Sequence, residues 1–569
     1  MRGQAGATED PPRPEEMFDA LTIPDALERA ADSGRGITVV DRRLEGVPLP
    51  YALLAASARR AAAGLAKAGV RPGDRVAILS STSPAFLVSL FGAWRAGAIP
   101  VLLPLPHRLG DLPELIAELG RRMDHVDARC VVVADTFAEF LAGRLGPGRR
   151  MLTCGELVAV REETSGPAPV GPDDLAYLQF TSGTTGLPRA VALTHRQMLT
   201  NAAVCCARLC PAGERSVHVS WLPLYHDMGL VSALAAMAYR ITLVLQPPEA
   251  FLARPDSWVD ALSRYGATST VAPNFAYGLA ARSMRLRPRD LDLSALQVCG
   301  DGAEPIRATN LEQFVTAGAR YGLRPEAVTP MYGLAEATLA VAMGEVGEPL
   351  DWDHVSRDSL QPGGTARPVP PDAPGARSLA VCGHPVPGVC AEVMDASGRP
   401  LAERVVGEIC VRSPSLMTGY WQDPEATAEV VRDGWLRTGD LGYRTPGGLV
   451  VCGRIKDMII VGGRNLYPED YEHVAALADG VRPVCAAFVV PDTERMVTAV
   501  EPERGVQNHA ALAARVMAVL REHLGHAPDK VVVLDAGSIP RTSSGKVQRS
   551  RCAERYFTGR LTVLAEQAR

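Results

Sequence analysis

The sequence predicts an α/β chain: a large N-terminal domain of packed, parallel-rich sheets with helices, a smaller β-rich subdomain, and a small α+β C-terminal domain. Three observations carry this. Short apolar strands alternate with helix-spaced stretches from Ile23 to Cys299, the rhythm of a largely parallel sheet with helices on both faces. After Gly388 the pattern turns to β (AEVMD, EICVRS, LVVCGR), with turns at Gly398 and Gly447. A last block after Arg454 mixes strands (DMIIVGG, CAAFVVP, KVVVLD) with helices.

In order, Tyr51 to Ala68 is Ala/Leu-rich with helical spacing, and Arg75 to Ser80 reads as a short strand. Ala85 to Ala96 is a helix, Ile99 to Leu105 is apolar, and Cys130 to Ala134 is a buried strand. The same rhythm continues through Arg240 to Leu245, Thr268 to Ala272 and Ala295 to Cys299, without a fixed-period repeat. Residues 344–383 are rich in Pro, Gly and charge, and read as a long irregular insertion of the kind that is often functional. The expected boundaries are a disordered tail over 1–20, a large domain over 21–455 and a small domain over 456–569.

Composition limits the function classes. The chain has 569 residues, 47% apolar and 22% charged, ordinary values for a globular protein of several units. A net charge of −5 gives no polyelectrolyte pull toward nucleic acid or an anionic membrane. The most apolar stretch, Met228 to Tyr239, stops at Arg240 and is too short to span a bilayer. The twelve cysteines form no C-x-x-C pair and read as reduced, mostly buried thiols of a cytoplasmic protein.

The segment Leu178 to Val191 (LQFTSGTTGLPRAV) carries the strongest chemical signal. A strand enters a loop with Thr181, Ser182, Thr184 and Thr185 as hydroxyl donors. Gly183 and Gly186 let backbone N–H groups converge on an anion, and Arg189 adds positive charge. The pattern suits a di- or triphosphate, yet it is not a Walker A loop, because no G-K-[ST] closes it.

This loop resembles the phosphate loop of the adenylate-forming superfamily of acyl-CoA synthetases, peptide-synthetase adenylation domains, luciferases and fatty acyl-AMP ligases. The superfamily's other motifs follow in order: Gly302-Ala-Glu-Pro305, Tyr332-Gly-Leu-Ala-Glu336, Thr438-Gly-Asp-Leu441, Gly453-Arg-Ile-Lys-Asp457 and Pro540-Arg-Thr-Ser-Ser-Gly-Lys546. The resemblance covers the chain from about residue 25 to its end. It implies a β-barrel-like character for the β-rich subdomain and mobility for the C-terminal domain. It also implies attack of a carboxylate on the α-phosphorus of ATP, with pyrophosphate expelled and an acyl-adenylate formed. Two anions must meet, so cations and donors must offset their repulsion.

By resemblance, Lys546 is the catalytic lysine that bridges carboxylate and phosphate, and Glu336 is the Mg²⁺ ligand. Tyr332 is the adenine platform with Gly333 beside it, and Gly302, Ala303 and Glu304 line the other side of the base. Asp440 would accept from both ribose hydroxyls, and Arg454 would support ribose or phosphates. Thr184, Thr185 and Arg189 would reach the β- and γ-phosphates. Lys456 falls at the hinge about which the small domain turns. His226 would gate or line the acyl pocket, although a satisfied core histidine fits the same signal. Many members carry Lys-Gly where this chain has Arg189-Ala190; the charge is kept, and the contact can become bidentate.

Several stretches resemble the fatty acyl-AMP ligase branch: Trp221 to Leu230 (WLPLYHDMGL), Phe251 to Pro255 with Trp258, Ser263 to Tyr265, Ala272 to Tyr277, and Tyr332 to Leu339. That branch carries an insertion where this chain has 47 positions from Glu336 to Gly383. The insertion restrains the small domain and disfavours CoA, so the implied acceptor is the phosphopantetheine thiol of a separate acyl carrier protein. Asp358-Ser359-Leu360 imitates a carrier's attachment serine, but lacks the preceding Gly and surrounding helices. The small residues of Gly229 to Ala238 fit an acyl groove or close helix packing equally well. The expected function is ATP- and Mg²⁺-dependent activation of a carboxylic, most simply fatty, acid. The alternatives are an acyl-CoA ligase, a ligase of an aromatic acid, amino acid or nitrite, and a non-catalytic nucleotide-binding scaffold.

Overall fold

A computed structural model describes residues 13–105, 112–146, 148–163, 168–181, 188–210, 212–461, 464–490, 493–542 and 545–569. The α/β alternation builds two parallel-rich sheets. The larger has nine strands, and its central ones are parallel: Gly36–Val40, Thr242–Leu245, Val217–Ser220, Ser269–Ala272, Val298–Asp301 and Val328–Gly333. Antiparallel strands close its edges at Gly46–Pro50 on one side and at Ala340–Met343 and His384–Pro385 on the other. The second sheet is wholly parallel, in the order Ile99–Leu102, Arg75–Leu79, Cys130–Val133, Arg150–Thr153.

A short antiparallel sheet of Leu175–Phe180, Ala190–Thr194 and Gly419–Tyr420 lies at the phosphate-loop segment. Thr194 ends its second strand and caps the next helix, His195–Leu209. The Thr194 hydroxyl accepts from Gln197 N at 3.2 Å, and the Gln197 side chain accepts from Thr194 N at 2.9 Å. Reciprocal caps of this kind satisfy two otherwise orphaned donors and fix where the helix starts. The strands after Gly388 form a five-stranded antiparallel sheet.

From Ile459 onward the chain builds its own apolar clusters. Strands Val481–Val489, Met496–Pro502, Lys530–Leu534 and Val563–Ala568 pack with helices Pro468–Ala475, His509–Leu524 and Arg549–Phe557.

Two expectations change. The disordered tail does not extend to residue 20: Pro14–Phe18 is a short helix, and Phe18 is wholly buried in the large core. Burial of this aromatic contributes about 1.5–3 kcal/mol toward ordering a segment that its polar composition left without an evident core contact. The insertion is not simply irregular either. Trp352–Ser356 and Ala376–Ala380 pair antiparallel in five-residue register. Val355, Leu360 and Leu379 bury against Tyr443 and Val450 of the antiparallel sheet and Tyr467 of the C-terminal lobe. Ser359, the false attachment serine, donates to Ser356 O in a tight turn, and Leu360 beside it is wholly buried.

Candidate active site

A cleft of about 1730 Å³ opens between the N-terminal sheets and the C-terminal lobe. The strands place its wall. Thr181 follows Leu175–Phe180, Gly302 follows Val298–Asp301, and Tyr332 and Gly333 end Val328–Gly333. The crevice beyond the carboxyl ends of parallel strands is the usual ligand position in such sheets. Gly302 and Gly333 are needed there for close approach: an added Cβ would lie 2.8 Å from Met331 O and 1.9 Å from Leu339 O, respectively. Ala303, between Gly302 and Glu304, holds a left-handed φ of 68°, which costs a non-glycine residue energy and marks a constrained site.

Asp440 organises one end. Its Oδ2 accepts from the Tyr332 hydroxyl at 2.8 Å, and its Oδ1 accepts from Arg454 Nε at 2.8 Å. Asp440 is buried and Arg454 is half-exposed at the cleft edge, where Asp440 raises the guanidinium pKa further. Each carboxylate oxygen has a second lone pair and can accept again. Burial lifts the Tyr332 phenol well above its ordinary range, so its proton stays on the bond to Asp440.

Glu336 sits in the short turn Ala335–Ala337. Its Oε1 accepts from the Tyr420 hydroxyl at 2.9 Å. Burial raises the Glu336 pKa, and Tyr420 and Arg454 act against that rise. A carboxyl that pays to be charged in isolation suits a nearby cation, and Mg²⁺ needs one carboxylate when phosphate oxygens and water fill its other positions. Arg189 lies over the Tyr420 ring, 5.0 Å from its centroid, and approaches Glu429 at 3.4 Å.

Lys546 comes from the other side of the cleft, on the loop of the C-terminal lobe. Gly545 N donates to Thr542 O, Thr542 N donates to Lys546 O, and Lys546 N donates to the Thr542 hydroxyl. Burial lowers the Lys546 pKa, while Asp227 and Glu304 favour its charge. Burial raises Asp227 and Glu304, and Lys546 opposes both shifts. The ammonium thus has compensating anions on the N-terminal side of the cleft. Glu304 also accepts from Phe275 N at 2.7 Å.

Thr181, Arg189, His226, Gly302, Ala303, Glu304, Tyr332, Gly333, Glu336, Asp440, Arg454, Lys456 and Lys546 all line this one cleft. Ser182, Gly183, Thr184, Thr185 and Gly186 lie outside the described residues. Lys456 occupies the turn Ile455–Asp457 where the chain leaves the antiparallel sheet. His226 precedes helix Asp227–Ala238, with its ring 5.1 Å from that of Tyr225. Within that helix Met228 and Ser232 face the cleft, while an added Cβ at Gly229 would lie 2.3 Å from Pro223 O. One face thus borders the cleft, and Gly229 packs tightly against neighbouring backbone.

Two site residues escape the motif reading, Asp227 and Tyr420. Asp227 stood inside the quoted segment WLPLYHDMGL, next to His226. Tyr420 gives no such signal, because its partner Glu336 is 84 positions away.

These motifs and this geometry define an enzyme class. The profile of the AMP-binding enzyme family matches residues 27–421, and the chain belongs to that family. Among its relatives, the long-chain-fatty-acid–AMP ligase FadD32 of Mycolicibacterium smegmatis is 34% identical over 91% of this chain and 90% of its own length. The medium-chain-fatty-acid–[acyl-carrier-protein] ligase JamA of Moorena producens is 33% identical over 90% of each chain. A structure from a study of fatty acyl-adenylate ligases of E. coli and L. pneumophila superposes with a TM-score of 0.89 at 33% identity, covering 96% of this chain and 99% of its own. No helix among the described residues is long and apolar enough to cross a membrane.

Proposed function

We propose that the protein activates a fatty acid as acyl-AMP, releases pyrophosphate, and passes the acyl group to the phosphopantetheine thiol of an acyl carrier protein. The observation that carries this is the placement of Lys546 in the same cleft as Tyr332, Asp440, Arg454 and Glu336. An ammonium across the cleft from Tyr332 and Asp440 can hold the substrate carboxylate against the α-phosphate and offset the charge that develops on pyrophosphate.

In this reading Tyr332, Gly302 and Ala303 flank adenine, and Asp440 receives the ribose hydroxyls. Arg454 pairs with Asp440 at 2.8 Å, and Arg189 neutralises the outer phosphates together with the loop 181–186. Glu336 would hold Mg²⁺, which neutralises the triphosphate when bound. His226 borders the acid's entry. The acyl chain would lie against Leu209, Met228, Val271, Leu279, Leu339 and Met343, an apolar stretch of the cleft wall. That lining, and the relatives named for fatty-acid–AMP and carrier-protein ligation, favour a fatty acid over a compact polar one.

The insertion supports the choice of acceptor. Arg357 and Arg377 both pair with Asp470 of the C-terminal lobe at 2.9 Å. The Tyr467 hydroxyl donates to Leu360 O at 2.8 Å, and Gln361 and Asn465 exchange hydrogen bonds. These contacts oppose the rotation about Lys456 that any transfer requires; a docked carrier protein brings binding energy to offset them, which free CoA brings in smaller measure. Incubation with ATP, Mg²⁺ and fatty acids, with CoA or a phosphopantetheinylated carrier, tests this. The expected products are acyl-AMP and acyl-carrier; rapid formation of acyl-CoA would contradict the assignment of acceptor.

A further inference from the structure

The charged groups of the C-terminal lobe form a continuous path that the reaction chemistry does not use. Arg549 stands three residues after Lys546, at the start of helix Arg549–Phe557. Its guanidinium is mostly buried and engages three carboxylates. Nε donates to Glu472 Oε1 at 2.7 Å and one terminal nitrogen to Glu472 Oε2 at 2.8 Å. That nitrogen also lies 3.0 Å from Glu469 Oε1, and the other donates to Asp457 Oδ2 at 2.7 Å.

Glu469 and Glu472 lie one turn apart on helix Pro468–Ala475. Asp470, between them, pairs away from Arg549, with Arg357 and Arg377 of the insertion. Arg377 also stacks on Tyr467, 4.5 Å from the ring centroid. Asp457 directly follows Lys456. The base of the lysine loop is therefore fastened to the hinge turn itself and to a helix that the insertion grips from its other side.

We propose that Arg549 is a positioning residue for Lys546, and that the insertion sets this position through Asp470 and the helix Pro468–Ala475. The insertion then does more than tether the lobe: it places the ammonium for adenylation. A forked guanidinium on a carboxylate fixes direction as well as distance, which a single point charge does not. The proposal rests on the adenylation reading of the cleft.

The test separates the two half-reactions in the full-length protein. Asp470→Asn and Arg549→Lys should each slow acid-dependent pyrophosphate release about 10- to 100-fold in kcat, the effect of a small misplacement of a reacting group, with KM for ATP unchanged. Transfer from supplied acyl-AMP to a phosphopantetheinylated carrier protein should not fall. In a Lys546→Ala background Asp470→Asn should cause no further loss, since nothing remains to be positioned. If Asp470→Asn does not fold, Arg357→Gln, which leaves Arg377 on Asp470, takes its place. Unchanged kcat, equal losses in both half-reactions, or additive loss on top of Lys546→Ala would overturn the proposal. An unaltered protein that releases no pyrophosphate with any acid would instead remove the adenylation reading, and this proposal with it.

Discussion

Tyr420 donates to Glu336 while its ring carries Arg189, so one side chain orders both the carboxylate and the cation assigned to the triphosphate. Its hydrogen bond lowers a Glu336 pKa that burial raises. Removing it in Tyr420→Phe should raise that pKa further. Protonation then begins at higher pH as the solution is acidified, so the acid limb of the pH–rate profile for pyrophosphate release should move upward. An unmoved limb would separate Glu336 from the rate. Lys546→Ala should lower pyrophosphate release by about 100- to 1000-fold, the usual cost of removing one preorganised donor from a developing anion, while equilibrium ATP binding persists. Near-normal turnover would take Lys546 out of the chemistry.

Helix Pro468–Ala475 is the element on which the two lobes meet. His473 lies on it, and its pKa is pushed down to about 4 by burial and by Arg307, Arg357 and Arg377, with Asp470 acting the other way. The unfolded histidine binds its proton near pH 6.5. Between about pH 6.5 and 4 the unfolded chain therefore holds more protons, and stability falls as pH falls through that window. The melting temperature should drop more steeply from pH 7 to 5 in the unaltered protein than in His473→Gln; parallel curves would show that His473 does not contribute. The same helix shows where sequence reading stops. Asp470 is 113 positions from Arg357, and no periodicity or motif announces a pair at that separation. Nor did the Pro- and Gly-rich composition of 344–383 reveal that Val355, Leu360 and Leu379 form one face of a shared core.

Across the whole molecule, the residues brought to the cleft come from motifs spread between Thr181 and Lys546. Those motifs were legible because each needs a particular chemistry: Asp440 two acceptor oxygens, Lys546 a long ammonium, Gly302 and Gly333 bare backbone. Boundaries set by packing were less so, as Phe18 shows by drawing an apparent tail into the core. If the turn Ile455–Asp457 is the pivot between adenylation and transfer, Lys456 at its centre carries the motion. Lys456→Pro, which fixes φ there, should preserve acyl-AMP formation and suppress acyl transfer; equal loss of both would place the pivot elsewhere. An acid and ATP are expected to react in this cleft before any thiol enters. Exchange of labelled pyrophosphate into ATP, measured over a panel of fatty acids without thiol, is the decisive experiment. Exchange should depend strictly on the acid and fall about 100- to 1000-fold in Lys546→Ala. ATP binding without exchange for any acid would contradict that expectation.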